Sequence, residues 1–131
     1  MKIKKTTYYA LCALRMIYLD KEQIVTSNCI AKSEGISQGV VIKILRILNK
    51  EGILNVYRGR GSVCGGFSLN KSIDEITLLE IVEIMEGVNI CENLDKELEE
   101  KENRLFLKCS QINEHFRAEL SKYTIRELFE L

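Results

Sequence analysis

The chain has 131 residues, 46% of them hydrophobic and none of them proline or tryptophan, which suits one domain, or one small domain with an extension, built around a core. No apolar run reaches the length of a membrane span and no signal peptide opens the chain, so a cytoplasmic protein is expected. Five cysteines without a C-x-x-C pair exclude zinc-finger and thioredoxin signatures and, in that compartment, argue against structural disulfides.

The formal net charge of zero hides an asymmetry. Residues 1–71 carry 12 Lys+Arg against 4 Asp+Glu, a net of +8, and residues 72–131 carry 7 against 15, a net of −8. A basic front half is expected where that half faces phosphates. The acidic half cannot lie on DNA and is expected to organise a dimer or partners. No internal repeat or low-complexity segment is present.

In chain order, Lys2, Lys4 and Lys5 precede a predicted helix from Tyr8 to about Leu19. Its apolar residues Ala10, Leu11, Ala13, Leu14, Met16 and Ile17 fall on nearly every side, as in a helix buried on more than one face. Cys12 reads as a small core residue. Packing, rather than phosphate contact, is expected of Tyr8 and Tyr9.

Thr26 or Ser27 caps a short second helix that stops at Gly35, and Ser37 caps a third. In the third helix Val41, Ile44, Leu45 and Leu48 repeat at one-sided helical spacing, and Gly52 ends it. The strand-like run 53–57, a glycine- and arginine-rich loop from Arg58 to Gly66, and the return Phe67–Leu69 read as a hairpin. Helix, tight turn, helix and hairpin form the grammar of a winged helix-turn-helix. The outer face of the third helix would carry Gln38, Gly39, Ile42 and Lys43 to base edges, with Arg46, Asn49 and Lys50 placed for phosphates. Arg58 and Arg60 in the loop suit a minor groove. The plainer reading is a three-helix fold with a solvated hairpin; agreement of turn, helix and loop favours DNA.

Residues 70–76 read as a linker. Thr77 and Glu80 form a capping box for a helix over 78–86, ended by Gly87, with Glu80, Glu83 and Glu86 largely off its apolar face. A candidate sensor loop lies around 87–93. A long helix is predicted from about Leu94 to Lys122, about 40 Å at 1.5 Å per residue. Leu98, Leu105, Cys109, Ile112 and Phe116 give it a seam of coiled-coil spacing. It is too long for one small domain to bury, and it reads as a dimer helix. Thr124 and Glu127 cap a short terminal helix. The fold class expected is mainly α with a small β-hairpin wing: a winged helix-turn-helix over 1–71, then a scaffold helix and a dimerisation helix over 72–131.

These pieces, in order, resemble the Rrf2 family of bacterial regulators, which includes IscR-, NsrR- and CymR-like proteins. The resemblance rests on Met1-Lys2-Ile3 with Tyr9-Ala10-Leu11, Ile30-Ala31, Gly35-Ile36-Ser37, and Glu51-Gly52-Ile53-Leu54. It continues through Arg58-Gly59, Gly65-Gly66-Phe67, Ile76-Thr77-Leu78-Leu79, Glu86-Gly87 and Thr124-Ile125 with Glu127-Leu128. It implies a homodimer crossed through its long helices on a partly palindromic operator. Ser37, Gln38, Gly39, Ile42 and Lys43 then face DNA, and Arg58 reaches the minor groove. IscR-like members usually carry glutamate where Ile42 stands, so a different operator is expected. The wing also carries Ser62-Val63-Cys64 as an apparent insertion.

The sensor departs further. Cluster-binding members place three cysteines in a compact loop before the long helix, whereas here only Cys91 and Cys109 lie in that region, eighteen residues apart. The usual iron–sulfur motif is absent. A reduced site is left open, with Cys12 of the other subunit joining Cys91 and Cys109. Cys91, before a helix N-terminus, is the leading sensor thiol, and Cys64 in the wing is a second redox candidate. Cys109 fits packing better, Cys29 reads as core, and His115 reads as a solvated side chain.

The reading is a homodimeric regulator of double-stranded DNA, a repressor, answering a redox, iron–sulfur, metal or cysteine-metabolism signal. A competing reading is a protein-interaction adaptor whose acidic half binds a partner enzyme. An enzyme is disfavoured: there is no Ser-His-Asp set, no carboxylate pair in a plausible cleft and no phosphate-binding glycine loop.

Overall fold

A computed structural model of the chain describes residues 3–20, 24–57, 65–87 and 104–130. Among these lie six α-helices and one two-stranded sheet. Helix α1 (Lys5–Leu19) buries Ala10, Cys12, Ala13, Leu14 and Ile17. It packs on α2, α3, α4 and the second strand, so its all-round apolar character has a use on each side.

Helix α2 (Ser27–Glu34) starts where Thr26 Oγ1 accepts from the Cys29 N–H at 3.2 Å. It ends at Gly35, whose φ of 67° is the left-handed conformation that turns the chain without a Cβ clash. Helix α3 (Gln38–Lys50) follows at once, with Ser37 Oγ accepting from the Val40 N–H at 3.3 Å.

Strands β1 (Leu54–Tyr57) and β2 (Gly66–Leu69) pair antiparallel, Leu54 opposite Leu69 and Tyr57 opposite Gly66. Val25 adds a bridge on the far side of β2, exchanging both backbone hydrogen bonds with Phe67 at 2.8 and 3.0 Å. A Cβ on Gly66 would stand 2.6 Å from Ile24 Cγ2 and 3.3 Å from the Val25 carbonyl oxygen, so a side chain there would have to turn Ile24 aside and crowd that third segment.

Helix α4 (Leu78–Met85) starts at Thr77, whose hydroxyl accepts from the Glu80 N–H. Glu80 itself reaches Lys71 Nζ at 2.8 Å. Helices α5 (Arg104–Ser121) and α6 (Ile125–Phe129) follow, the latter capped by Thr124. Backbone bonds from Leu78 N to Tyr123 O and from Ile125 N to Ile76 O tie the start of α4 to the start of α6.

One main core joins these elements. Leu14, Ile17, Ile30, Leu45, Leu48, Ile53, Ile76, Ile81 and Ile125 are fully enclosed in it. At about 1.5–3 kcal/mol per large aliphatic side chain, this burial holds eight-residue helices such as α2 and α4, which are marginal alone. Residues 70–76, expected as a linker, contribute Ile73 and Ile76 to the core instead. A smaller cluster of Leu78 and Val82 takes Phe116 and Leu120 of α5.

Candidate nucleic-acid interface

The orientation of α3 is set by its apolar stripe. Val41, Ile44, Leu45 and Leu48 are at most 3% exposed, which turns the opposite side outward. Ser37, Gln38, Gly39, Val40, Lys43, Arg46 and Lys50 lie exposed there, while Ile42 and Ile47 are half-buried. Helix α3 contains no acidic residue. Lys43, Arg46 and Lys50 form no ion pair among the described residues, so their charge is available to an outside anion. The Ser37 hydroxyl accepts from the Val40 N–H and still has its own proton to donate.

Five of the expected DNA-facing residues, Ser37, Gln38, Gly39, Lys43 and Arg46, thus share one exposed face, with Ile42 at its edge. Arg58 and Arg60 of the wing loop lie outside the described residues. At the end of the hairpin that leads there, Val56 and Tyr57 are 46% and 48% exposed.

Two expectations are corrected. Asn49 does not face phosphates: it is half-buried, and its Nδ2 donates to the Leu54 carbonyl at 2.8 Å, fixing the turn from α3 into β1. Cys29 is not core but exposed, because Ile30 and Ala31 take the buried face of α2. Sequence reasoning also passed over Val40, which is 38% exposed at the flank of that face. The signal for it was its place one residue off the apolar stripe. Tyr8, expected to pack, is 58% exposed, whereas Tyr9 packs against the core.

The remaining candidates sit elsewhere. Cys12 is buried in α1, where loss of solvent pushes its thiol pKa up, partly opposed by a hydrogen bond with Tyr8. Cys109 is half-buried on α5, and Cys64, Cys91 and Leu98 lie outside the described residues. Of the seam, Leu105 and Ile112 are exposed, while Phe116 is half-buried against α4. His115 is exposed, as expected. The two acids of α4 and the Glu86 that follows it face other elements: Glu80 pairs with Lys71, Glu83 with Arg117 of α5, and Glu86 with the start of α1.

Known proteins carry the same plan. The model of the family Rrf2, described as iron-dependent transcriptional regulator, matches residues 3–131. A protein of Aquifex aeolicus (strain VF5) described as an HTH-type transcriptional regulator is 37% identical over 84 residues, 64% of this chain and 56% of its own length. Protein aau3 of Rhizobium meliloti (strain 1021) is 33% identical over 86 residues, 66% of this chain and 54% of its own length. The chain spans about half the length of these curated relatives. Among solved structures, T. potens IscR has a TM-score of 0.74 at 18% identity, covering 99% of this chain and 87% of that one. The oxidized form of Staphylococcus aureus CymR has a TM-score of 0.71 at 20% identity, covering 100% and 98%. At such identities these two establish a shared winged-helix fold. No helix among the described residues is long and apolar enough to cross a membrane. With the family match running from residue 3 to residue 131 over a helix-turn-helix that bears an exposed basic face, the chain belongs to the Rrf2 family of DNA-binding transcriptional regulators, not to an enzyme family.

Proposed function

We propose that two copies of this chain form a repressor that lays α3 in successive major grooves of a partly palindromic operator. Residues 1–71 make the DNA contacts, and 72–131 join the copies and receive the signal. The observation that carries this is the outer face of α3, where Lys43, Arg46 and Lys50 stand without ion pairs among the described residues and no acid intervenes. In this reading Ser37, Gln38, Gly39, Ile42 and Lys43 meet bases, Arg46 meets phosphate, and Arg58 and Arg60 enter the minor groove.

Dimerisation is supported by α5, which buries only Asn113. Leu107 and Ile112 are 57% and 50% exposed, and a groove of about 490 Å³ runs beside Lys108, Ile112, His115 and Phe116. We read a second copy of α5 as the occupant of this groove, its Leu107 and Ile112 meeting their counterparts.

The family's description as iron-dependent calls for a set of ligands. Among the described residues, no three of His, Cys, Asp or Glu come together as a metal site requires. The described residues therefore do not by themselves compose an iron site. The spectrum of protein purified without oxygen identifies the signal class: cluster absorption marks iron–sulfur, and a colourless protein marks thiols or a small molecule.

The test is footprinting on the upstream region of its own operon, with sedimentation alongside. Protection of a two-fold site by wild type, lost in Lys43→Ala/Arg46→Ala, and a dimer that Ile112→Asp dissociates are the expected results. Failure to protect any site at low salt, or a monomer at micromolar concentration, overturns the proposal.

A further inference from the structure

Gly39 lies in the first turn of α3, although glycine is the poorest helix former apart from proline. Nothing among the described residues asks for it. The glycines with positive φ among the described residues are Gly35, Gly52 and Gly87, so Gly39 has ordinary helical backbone. A Cβ built at position 39 meets no atom within 4 Å, so packing does not exclude a side chain either. The remaining reason for glycine is space outside the protein, where a partner surface must come close to the helix backbone.

Val40 stands beside this notch. It is 38% exposed on the flank between the core stripe and the basic face of α3, and the stripe of Val41, Ile44, Leu45 and Leu48 closes the core without it. Its β-branched side chain has one preferred rotamer in a helix, so its methyls are held in a set direction. One exposed valine alone is ordinary. Here it stands with Gly39 in the first turn of α3, and half-buried Ile42 lies on the other side of Gly39. Lys43 follows one turn later and Arg46 about two, and neither forms an ion pair among the described residues. Apolar groups flanking the gap at the leading end of the helix, with cations one and two turns behind, fit a surface that is anionic at its edges and offers an apolar group at its floor. The major groove does this at thymine, the one DNA base with a methyl group on that edge. Helix α3 has no carboxylate to accept from cytosine N4.

We propose that Val40, with Ile42 and the gap at Gly39, reads thymine methyl groups in the major groove and so sets part of the operator sequence. This rests on the DNA-binding face proposed above and adds to it a base and the atoms that recognise it.

The experiment uses the full chain and random double-stranded oligonucleotides. Selected sites are resynthesised with single thymines replaced by deoxyuridine, which removes only the methyl, and affinity is read by fluorescence anisotropy at fixed salt. For wild type, one or two positions in each half-site lose about fourfold in affinity, the worth of one buried methyl-sized group. In Val40→Ala the thymine site binds about fourfold more weakly than in wild type, and deoxyuridine at those positions makes no further difference. Because Val40 is partly exposed, an unchanged thermal midpoint verifies that this variant is folded. Binding that ignores deoxyuridine at every thymine, or a deoxyuridine penalty that persists undiminished in Val40→Ala, overturns the assignment while leaving DNA binding intact. If no sequence is enriched, the DNA-binding face itself is wrong and this assignment falls with it.

Discussion

The carboxylate of Glu86, just past the last turn of α4, accepts a hydrogen bond from the hydroxyl of Thr7 in the first turn of α1. The same oxygen accepts from the Lys4 backbone N–H at 3.2 Å. Helix α1 has no side-chain cap of its own at Lys4, so a residue 82 positions away supplies an acceptor and a negative charge at its start.

Glu86→Ala should therefore cost about 1–3 kcal/mol, because the Thr7 hydroxyl is fully buried and would lose its acceptor. Glu86→Gln keeps an acceptor and should cost less. Urea unfolding midpoints decide this, and a midpoint for Glu86→Ala equal to wild type would show that the contact contributes nothing.

Gly39→Ala should separate stability from function. The added methyl meets no protein atom, and exchanging glycine for alanine in a helix is worth roughly 0.5–1 kcal/mol. The thermal midpoint should rise by about 2–5 °C while affinity for the selected site falls. A variant that gains stability and keeps full affinity would place the DNA elsewhere.

Asp74 and Arg126 give a pH dependence with a definite sign. Arg126 donates to Asp74 from Nε and, at 3.1 Å, from Nη2, joining residues 72–75 to α6. The guanidinium holds the Asp74 carboxyl below its usual range, although partial desolvation opposes it. A depressed carboxylate pKa contributes stability above the unfolded value of about 3.9, and that contribution is lost as pH falls through the lower folded value. Asp74→Asn should thus be less stable than wild type at pH 7, with the gap closing below about pH 4. Denaturant midpoints measured across that range should converge in acid; a constant gap would mean the pair's ionisation is irrelevant.

Thiol chemistry should distinguish two cysteines of the front half. Cys29 is exposed, while Cys12 is buried with its thiol pKa raised, chiefly by desolvation. Native protein treated with iodoacetamide at pH 8 should be labelled at Cys29 well before Cys12, as read by peptide mass spectrometry. Equal labelling rates would mean that α1 opens readily. The raised Cys12 pKa also favours the folded state below the unfolded thiol value of about 8.5, a contribution lost as pH climbs through the folded one.

Local determinants were legible before any coordinates. Ser37, Thr77 and Thr124 each accept from the N–H three residues on, and Gly35, Gly52 and Gly87 all have positive φ, because a cap or a turn is decided within a few residues. What escaped sequence reasoning was mostly long-range. Glu86 resembled any outward glutamate until α1 was placed over the end of α4. Cys29 was assigned to the core because an eight-residue helix leaves its buried phase ambiguous, and Ile30 and Ala31 won that face. Asn49 sits at helical spacing from Arg46, yet its amide is consumed by the next turn of chain. The boundary at 71/72 is one of charge, whereas packing runs across it. The exposed face of α3 was readable because its opposite, the apolar stripe, was unmistakable.

The bond from Ile125 N to Ile76 O and the enclosure of the Ile125 side chain in the main core have a bearing on synthesis. During translation the helix-turn-helix emerges from the ribosome first, but its hydrophobic interior stays open on one side until residue 125 has cleared the exit tunnel. A nascent chain stalled before that point carries a core still open at the place Ile125 fills, so the packing that supports the helix-turn-helix is complete only once residue 125 has emerged.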